Sequence, residues 1–419
     1  MAGQMTDRTP RIDPDRLRAT FEAINGFGAN PETGGYNRPG FSPADMAVRA
    51  WFAEAMAADG FAVRRDPAGN VFARLGPPDL PCIMIGSHLD TVPEGGAFDG
   101  ALGVAVAAEC ARAIRDTGGP PPVPVEVVAT SEEEGRFGGM LGSQTIAGAV
   151  DPDWLDTARD ADGVQLVEAM RGAGLDPGAV PGAAWPPGAV RAFLELHVEQ
   201  GPLLEAAGVP IGIADRISGV CVLHGVLTGT ANHSGSTPMD ARADAFAGLA
   251  QAAAAIPAFV AERGTDQSRV TIGKVQLAPN VAHTIPGRAE FTVVLRDTDA
   301  AVMRRLEAAM REALRTAAEA HGLRLETALM SWLDPVPLDG GLVSLVQENA
   351  ARLGIPAQIL PSGGGHDAQT MQAVAPAGLI FVPSRGGIGH SPEEQTDWDD
   401  ILRGAELMLA TVAALADAP

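Results

Sequence analysis

The run Pro81–Ser87, PCIMIGS, carries apolar or small side chains throughout and stops at His88-Leu89-Asp90. An apolar run without alternation is what a strand covered on both faces shows, and such strands belong to parallel sheets packed between helices. A second run, VPVEVVAT at 123–130, ends in Ser131-Glu132-Glu133-Glu134. Between them FDGALGV leads into a small-residue helix through Ala113, NVFARLG at 70–76 reads as another strand, and Asp45–Asp59 has a helical pattern. Strand, helix and strand in this order predict an α/β fold with a doubly wound, mostly parallel sheet. Chemistry in such sheets lies beyond the carboxyl ends of the strands, so Ser87–Asp90 and Ser131–Glu134 are expected at one rim.

A different rhythm starts near Ser218. VCVLHGVLTG reads as a strand, and DARADAFAGLAQAAAAIPAFVAERG as one long helix closed by Gly264. RVTIGKVQLA and AEFTVVLRD read as two strands, Ala300–Ala320 as a helix stopped by Gly322, and LRLETALMSW as a last strand. That βαββαβ order is a ferredoxin-like α+β unit. Because AGLIFVPS returns to the parallel-type pattern, the unit is expected as an insertion at 214–329, with the metal-binding catalytic domain at 1–213 and 330–419. A length of 419 residues, too long for one ordinary core, suits two domains. The piece GAVPGAAWPPGAV at 178–190 reads as a connecting loop.

Charge and cysteine usage exclude several classes. A formal charge of −22 makes phosphate backbones and anionic membranes poor partners, so neither nucleic acid nor membrane is expected. With no apolar run of membrane length and no apolar N-terminal segment, the expected location is the cytoplasm. Cys82, Cys110 and Cys221 show no CxxC spacing and read as buried thiols in a reducing compartment.

The rim residues have partners elsewhere: ELHVEQG at 195–201 and GIGHSPEE at 387–394. Singly, each has a plain reading. A histidine in HxD is a structural hydrogen-bond partner, an acidic run is a solvated turn, and a histidine before Ser-Pro enters a helix. Together, at the ends of one sheet, three adjacent glutamates need neutralising, and a divalent ion held by carboxylates and imidazoles does so. That donor set suits zinc or manganese.

The motifs GSHLDTVPEGGAFDGALGV, EEEGRFGGMLGS, ELHVEQGPLLE, NHSGSTPMDARADA, PNVAHTIPGRAEFTVVLRD, SGGGHDAQ and VPSRGGIGHSPEE occur in one order over nearly the whole chain. They closely resemble the metal-dependent amidohydrolases of the hydantoinase/carbamoylase group, within the M20 metallopeptidase superfamily. The resemblance implies two divalent ions per subunit, zinc first, with manganese, cobalt or nickel as alternatives. It implies that His88 and His197 hold one ion, Glu134 and His390 the other, and that Asp99 bridges them. Asp90 would orient His88 from behind, and Glu133 would act as general base on the water bridging the metals. Many members carry an extra residue before the Arg-Phe, whereas here Gly135 precedes Arg136 directly. The pair in use is therefore Glu132/Glu133 or Glu133/Glu134, the latter being expected.

The same resemblance makes Arg296 the holder of a substrate carboxylate, where a planar fork suits bidentate recognition. Gln200 would contact the ureido group, and Asn280, Gly364 and His366 would also contact substrate. His233 would polarise the scissile carbonyl. The inserted domain would act as lid and homodimer interface, with His233 and Asn280 reaching the neighbouring subunit's site. The implied reaction is hydrolysis of the ureido C–N bond of N-carbamoyl-L-amino acids, a small-molecule substrate class. Alternatives are allantoate amidohydrolase and N-carbamoyl-β-alanine amidohydrolase (β-ureidopropionase). A non-catalytic dimeric binding protein on the same scaffold would be marked by a lost ligand or base, and all of these positions carry competent residues.

Overall fold

In the computed structural model, which describes residues 9–119 and 121–417, packing divides the chain into two units. The first runs to Asp215 and resumes with Leu338–Leu360 and from His366 onward; the second is Arg216–Pro337 with Pro361–Gly365.

The first unit is built on a nine-stranded sheet. Its four central strands lie in the order Val125–Thr130, Cys82–His88, Val190–Val198 and Ala377–Val382, and they are parallel. The flanking strands Val71–Leu75 and Ile211–Ile217 run antiparallel to that core. Every residue of Cys82–His88 and Val125–Thr130 is buried, because both faces are covered. Alternation along the strands sends Ile83, Ile85, Leu194, Leu196, Ile380 and Val382 into one core with the helices Ala101–Arg115 and Trp398–Asp417. Phe381 takes the opposite parity and meets His366 on the other face.

The second unit is a four-stranded antiparallel sheet in the order Arg324–Leu333, Gly219–Thr228, Arg288–Asp297 and Arg269–Ala278. Helix Ala300–Ala320 begins where Asp299 accepts from the N–H groups of Ala301 and Val302. It buries Met303, Leu306, Met310 and Leu314 against the sheet. The expected long helix is instead two, Ala245–Ala254 and Ile256–Arg263, preceded by a short 3-10 turn at Met239–Ala241. Pro257 explains the break, since it donates no N–H and its ring clashes with the preceding turn.

Among the described residues, the stretch Ala245–Arg263 is long and apolar enough to cross a membrane. It is interrupted at its middle, and Leu249, Ala252 and Phe259 are buried in the core of this unit. The piece at 178–190 is not loop throughout: Pro177–Gly182 forms a 3-10 turn under the Asp176 cap, and Val190 already opens a strand.

Candidate metal centre

Asp99 sits just before helix Ala101–Arg115, and its two carboxylate oxygens face different partners. Oδ1 lies 3.2 Å from His88 Nε2 and 3.0 Å from His197 Nε2. Oδ2 lies 3.2 Å from His390 Nε2, which is 3.3 Å from Glu134 Oε2. The donor atoms of His88, Asp99 and His197 therefore cluster within 4.8 Å, as do those of Asp99, Glu134 and His390. Two donors bound tetrahedrally at about 2.1 Å from one ion stand about 3.4 Å apart, close to these separations. Nitrogen and carboxylate oxygen also form the donor set that zinc and manganese accept, so the residues fit a pair of such ions sharing Asp99.

Each position follows from the sheet. His88 ends strand Cys82–His88, and His197 is the penultimate residue of strand Val190–Val198, its neighbour. Glu133 and Glu134 follow strand Val125–Thr130 on the other side of Cys82–His88. Gly100 has φ +62, and a Cβ there would stand 2.4 Å from the His88 ring, so only glycine lets the helix start this close to His88.

The rings are oriented by backbone oxygens: His88 Nδ1 lies 3.0 Å from Asp90 O and His197 Nδ1 2.9 Å from Val198 O. Asp90 thus supports His88 through its carbonyl, differing from the carboxylate support expected. Its side chain is already committed, accepting from the Glu134 N–H at 3.1 Å and pairing with the buried Arg49 at 3.4 Å. Arg49 is also held by Asp45 at 2.7 Å.

The three glutamates diverge. Glu133 Oε2 is 3.6 Å from His88 Nε2, and Glu133 belongs to neither of these trios nor to the third donor cluster among the described residues, Glu195, His197 and His366. Glu134 turns to His390, while Glu132 turns into its own loop and accepts from the Phe137 N–H at 2.6 Å. Burial pushes Glu133 well above the carboxylate range, against the pull of His88, and burial pushes Glu132 up to about 8. Burial also acts to raise Asp99, but His197, His390 and His88 overcome it and hold the carboxyl well below its usual value. His390 is pushed up to about 11 by hydrogen bonds to Asp99 and Glu134.

The remaining candidates fall in two places. Gln200 donates to Asp99 Oδ2, and its backbone adopts φ +53. His366 is buried with its ring edge-on to His197, centroids 4.5 Å apart. Arg296, His233, Asn280 and Gly364 belong to the second unit. Arg296 Nη1 donates to Gly363 O at 2.9 Å, and burial lowers the pKa of its guanidinium. His233 is exposed, and its Nδ1 accepts from the N–H groups of Gly235 at 3.0 Å and Ser236 at 3.1 Å. With Nδ1 accepting, the proton of the neutral ring sits on Nε2, which is left as a donor. Asn280 is exposed with φ +53.

Sequence reading did not single out several buried acids around the centre. Glu195 accepts from Ser87 Oγ at 2.7 Å and from the Ala368 N–H at 3.0 Å, and burial pushes it up to about 7. Asp367 accepts from Thr130 Oγ1. Among the described residues, Asp367 Oδ1 and Glu394 Oε1 are buried without a hydrogen-bond partner, as is Oε2 of Glu132, which the sequence had named. The one available signal was a charged residue inside an apolar run, as in AFLELHV.

The model for peptidase family M20/M25/M40 matches residues 84–414. An N-carbamoyl-L-amino acid amidohydrolase of Geobacillus stearothermophilus is 37% identical over 410 residues, covering 97% of this chain and 99% of the relative. An allantoate amidohydrolase of Escherichia coli (strain K12) is 35% identical over 410 residues, covering 96% and 97%. The crystal structure of an amidase of the hydantoinase/carbamoylase family from Burkholderia multivorans superposes with a TM-score of 0.87 at 33% identity, over 98% of this chain and 99% of that one.

Proposed function

The chain belongs to peptidase family M20/M25/M40, in its hydantoinase/carbamoylase group, and on that premise we propose that it hydrolyses the ureido C–N bond of N-carbamoyl-L-amino acids. It is a metal-dependent amidohydrolase. The observation that carries the reading is the division of Asp99, with one oxygen toward His88 and His197 and the other toward His390. That arrangement supports two ions per subunit, zinc first and manganese, cobalt or nickel as alternatives. Such ions, when bound, acidify a shared water and polarise the substrate carbonyl.

The chain's own residues then divide the work. Glu133, with its side chain 8% exposed and outside both ligand trios, takes the proton from the attacking water and returns it to the leaving amine nitrogen. The products are the free amino acid and a carbamate, which breaks down to carbon dioxide and ammonia. His233 donates from Nε2 to the developing oxyanion, and Arg296 clamps the substrate carboxylate as a fork. Gln200, Asn280, Gly364 and His366 complete the substrate contacts, with Gln200 leaving Asp99 for the ureido group. The second unit serves as a ferredoxin-like lid and dimerisation domain, and His233 and Asn280 act in the neighbouring subunit's site. Three buried, unpaired cysteines suit a reducing cytoplasm.

The relative from Escherichia coli favours a second substrate, allantoate, which also joins ureido groups to a carboxylate. Ammonia release separates the readings. After reconstitution with Zn²⁺ or Mn²⁺, the protein is offered N-carbamoyl-L-amino acids, N-carbamoyl-β-alanine, allantoate, and N-formyl and N-acetyl analogues. Highest kcat/KM on an N-carbamoyl-L-amino acid is expected. Preference for allantoate or the β-alanine derivative transfers the assignment, and no turnover of any member overturns it.

A further inference from the structure

A carboxylate that serves two ions must be placed for both, and when it shifts, the ion whose other ligands are least held is the first to be lost. The aim of the Asp99 side chain is set by three histidines, but its backbone is held from elsewhere. The N–H groups of Phe98 and Asp99 both donate to Glu394 Oε2, at 2.8 and 3.0 Å. Glu394 stands 295 residues further along the chain and is 2% exposed. Gly96 closes over it: a Cβ at that position would lie 2.1 Å from Oε2 and 2.6 Å from the Glu394 Cβ. Gly96 does not occupy the left-handed region, so the contact alone excludes a side chain there.

Glu394 is not itself a ligand in this arrangement. It belongs to neither trio, its Oε2 is occupied by two backbone donors, and its Oε1 is buried without a partner. It lies in the turn that carries His390, where its own N–H donates to Ser391 O at 3.0 Å. One short segment, His390–Glu394, therefore brings both a side chain to Glu134 and a clamp to the backbone of Asp99. Glu195 is equally buried and its carboxylate clusters with His197 and His366, but its hydrogen bonds come from Ser87 and Ala368 and none from the backbone of Asp99.

We infer that Glu394 is a positioning residue that fixes Asp99 where both ions can share it and ties the His390 turn to the Asp99 loop. This rests on the two-ion reading above. Removing the carboxylate leaves the buried Asp99 N–H and the half-buried Phe98 N–H without this acceptor, and the loop shifts to find another. The ion at Glu134 and His390 is released first, since His390 is the exposed ligand and gives up least burial by moving. Gln at this position keeps one carbonyl oxygen for the two donors and is expected to be intermediate.

The test is Mn²⁺ titration of metal-free protein by calorimetry, with electron paramagnetic resonance of the loaded samples. Wild type is expected to bind two ions and give an exchange-coupled spectrum. Glu394→Ala is expected to keep one ion, weaken the second by about 10- to 100-fold and give an uncoupled spectrum. Gly96→Ala, which leaves the glutamate in place but pushes on it, should move the same way, and either this variant or Glu394→Gln decides the matter if Glu394→Ala does not fold. Wild-type affinity at both sites with a coupled spectrum in the folded variants overturns the proposal. So does parallel weakening of both ions with a fallen Tm, the mark of a merely structural residue. A wild-type chain that binds fewer than two ions overturns the two-ion reading beneath it, a different outcome.

Discussion

The two sides of Asp99 are built differently. His88 and His197 are almost fully buried, stand at or next to strand ends, and have their Nδ1 atoms against backbone carbonyls. Glu134 and His390 come from loops; the His390 side chain is 53% exposed and its backbone sits at φ +53. Backbone-anchored rings cannot turn without breaking the sheet's end, so the buried half is preformed. The open half is held by loop conformations that cost energy, and such strain concentrates where a site must exchange ligands or admit substrate. One half of the centre is scaffold and the other is entrance.

The largest expected effect tests whether Glu133 stands apart from both halves. Glu133→Gln should lower kcat by about 10²- to 10⁴-fold while leaving two ions bound, as judged by metal analysis of the same sample. A folded variant with wild-type kcat, or one that has lost an ion, breaks the separation of base from ligands. The next comparison sets the halves against each other. His197→Ala empties the buried half and leaves Asp99 Oδ1 short of a partner, so metal content and Tm should both fall. His390→Ala should keep the first ion and lose the second, with a smaller fall in Tm than His197→Ala gives. Equal losses from the two substitutions would mean that scaffold and entrance are not distinct.

The buried half was the legible one. Apart from Glu126, which is buried against Arg64 and Arg74, residues 82–87 and 125–129 are apolar or small without alternation because both faces are covered, and that pattern marks a sheet core and its rim directly. The open half left only motifs. The pairing of His390 with Asp99 spans most of the chain, and no local rule carries it. Glu132 and Gln200 adopt positive φ, a conformation their side chains do not announce. The break at Pro257 was written in the sequence but outweighed by a long apolar helical pattern. The buried acids Glu394 and Asp367 were missed because each lies in a polar segment whose burial arises only on folding.

A smaller effect tests the second unit against the metal centre. Arg296→Lys keeps the charge but loses the planar fork, so KM for a carboxylate substrate should rise about 10-fold with kcat nearly unchanged. An equal change for an analogue lacking the carboxylate would remove Arg296 from substrate binding.

The smallest effect is thermal and concerns the metal-free chain. Asp99 and Glu134 raise the pKa of His390 to about 11, whereas the unfolded value is about 6.5. The protonated ring's stabilisation is therefore complete below about pH 6.5 and is lost as pH climbs toward 11. Buried acids such as Glu394, pushed up to about 7 by burial, act in the same direction over a lower range. Metal-free protein should thus melt lower at pH 9 than at pH 6.5, and His390→Ala should flatten only part of that slope. The half-exposed ring is screened by solvent, so its share amounts to a few degrees at most. Loaded protein should show the reverse, because an ion needs the ring unprotonated and binds more tightly as pH rises. If the metal-free wild type and His390→Ala melt with the same pH slope, His390 does not carry its proton on Asp99 and Glu134, and the entrance is built some other way.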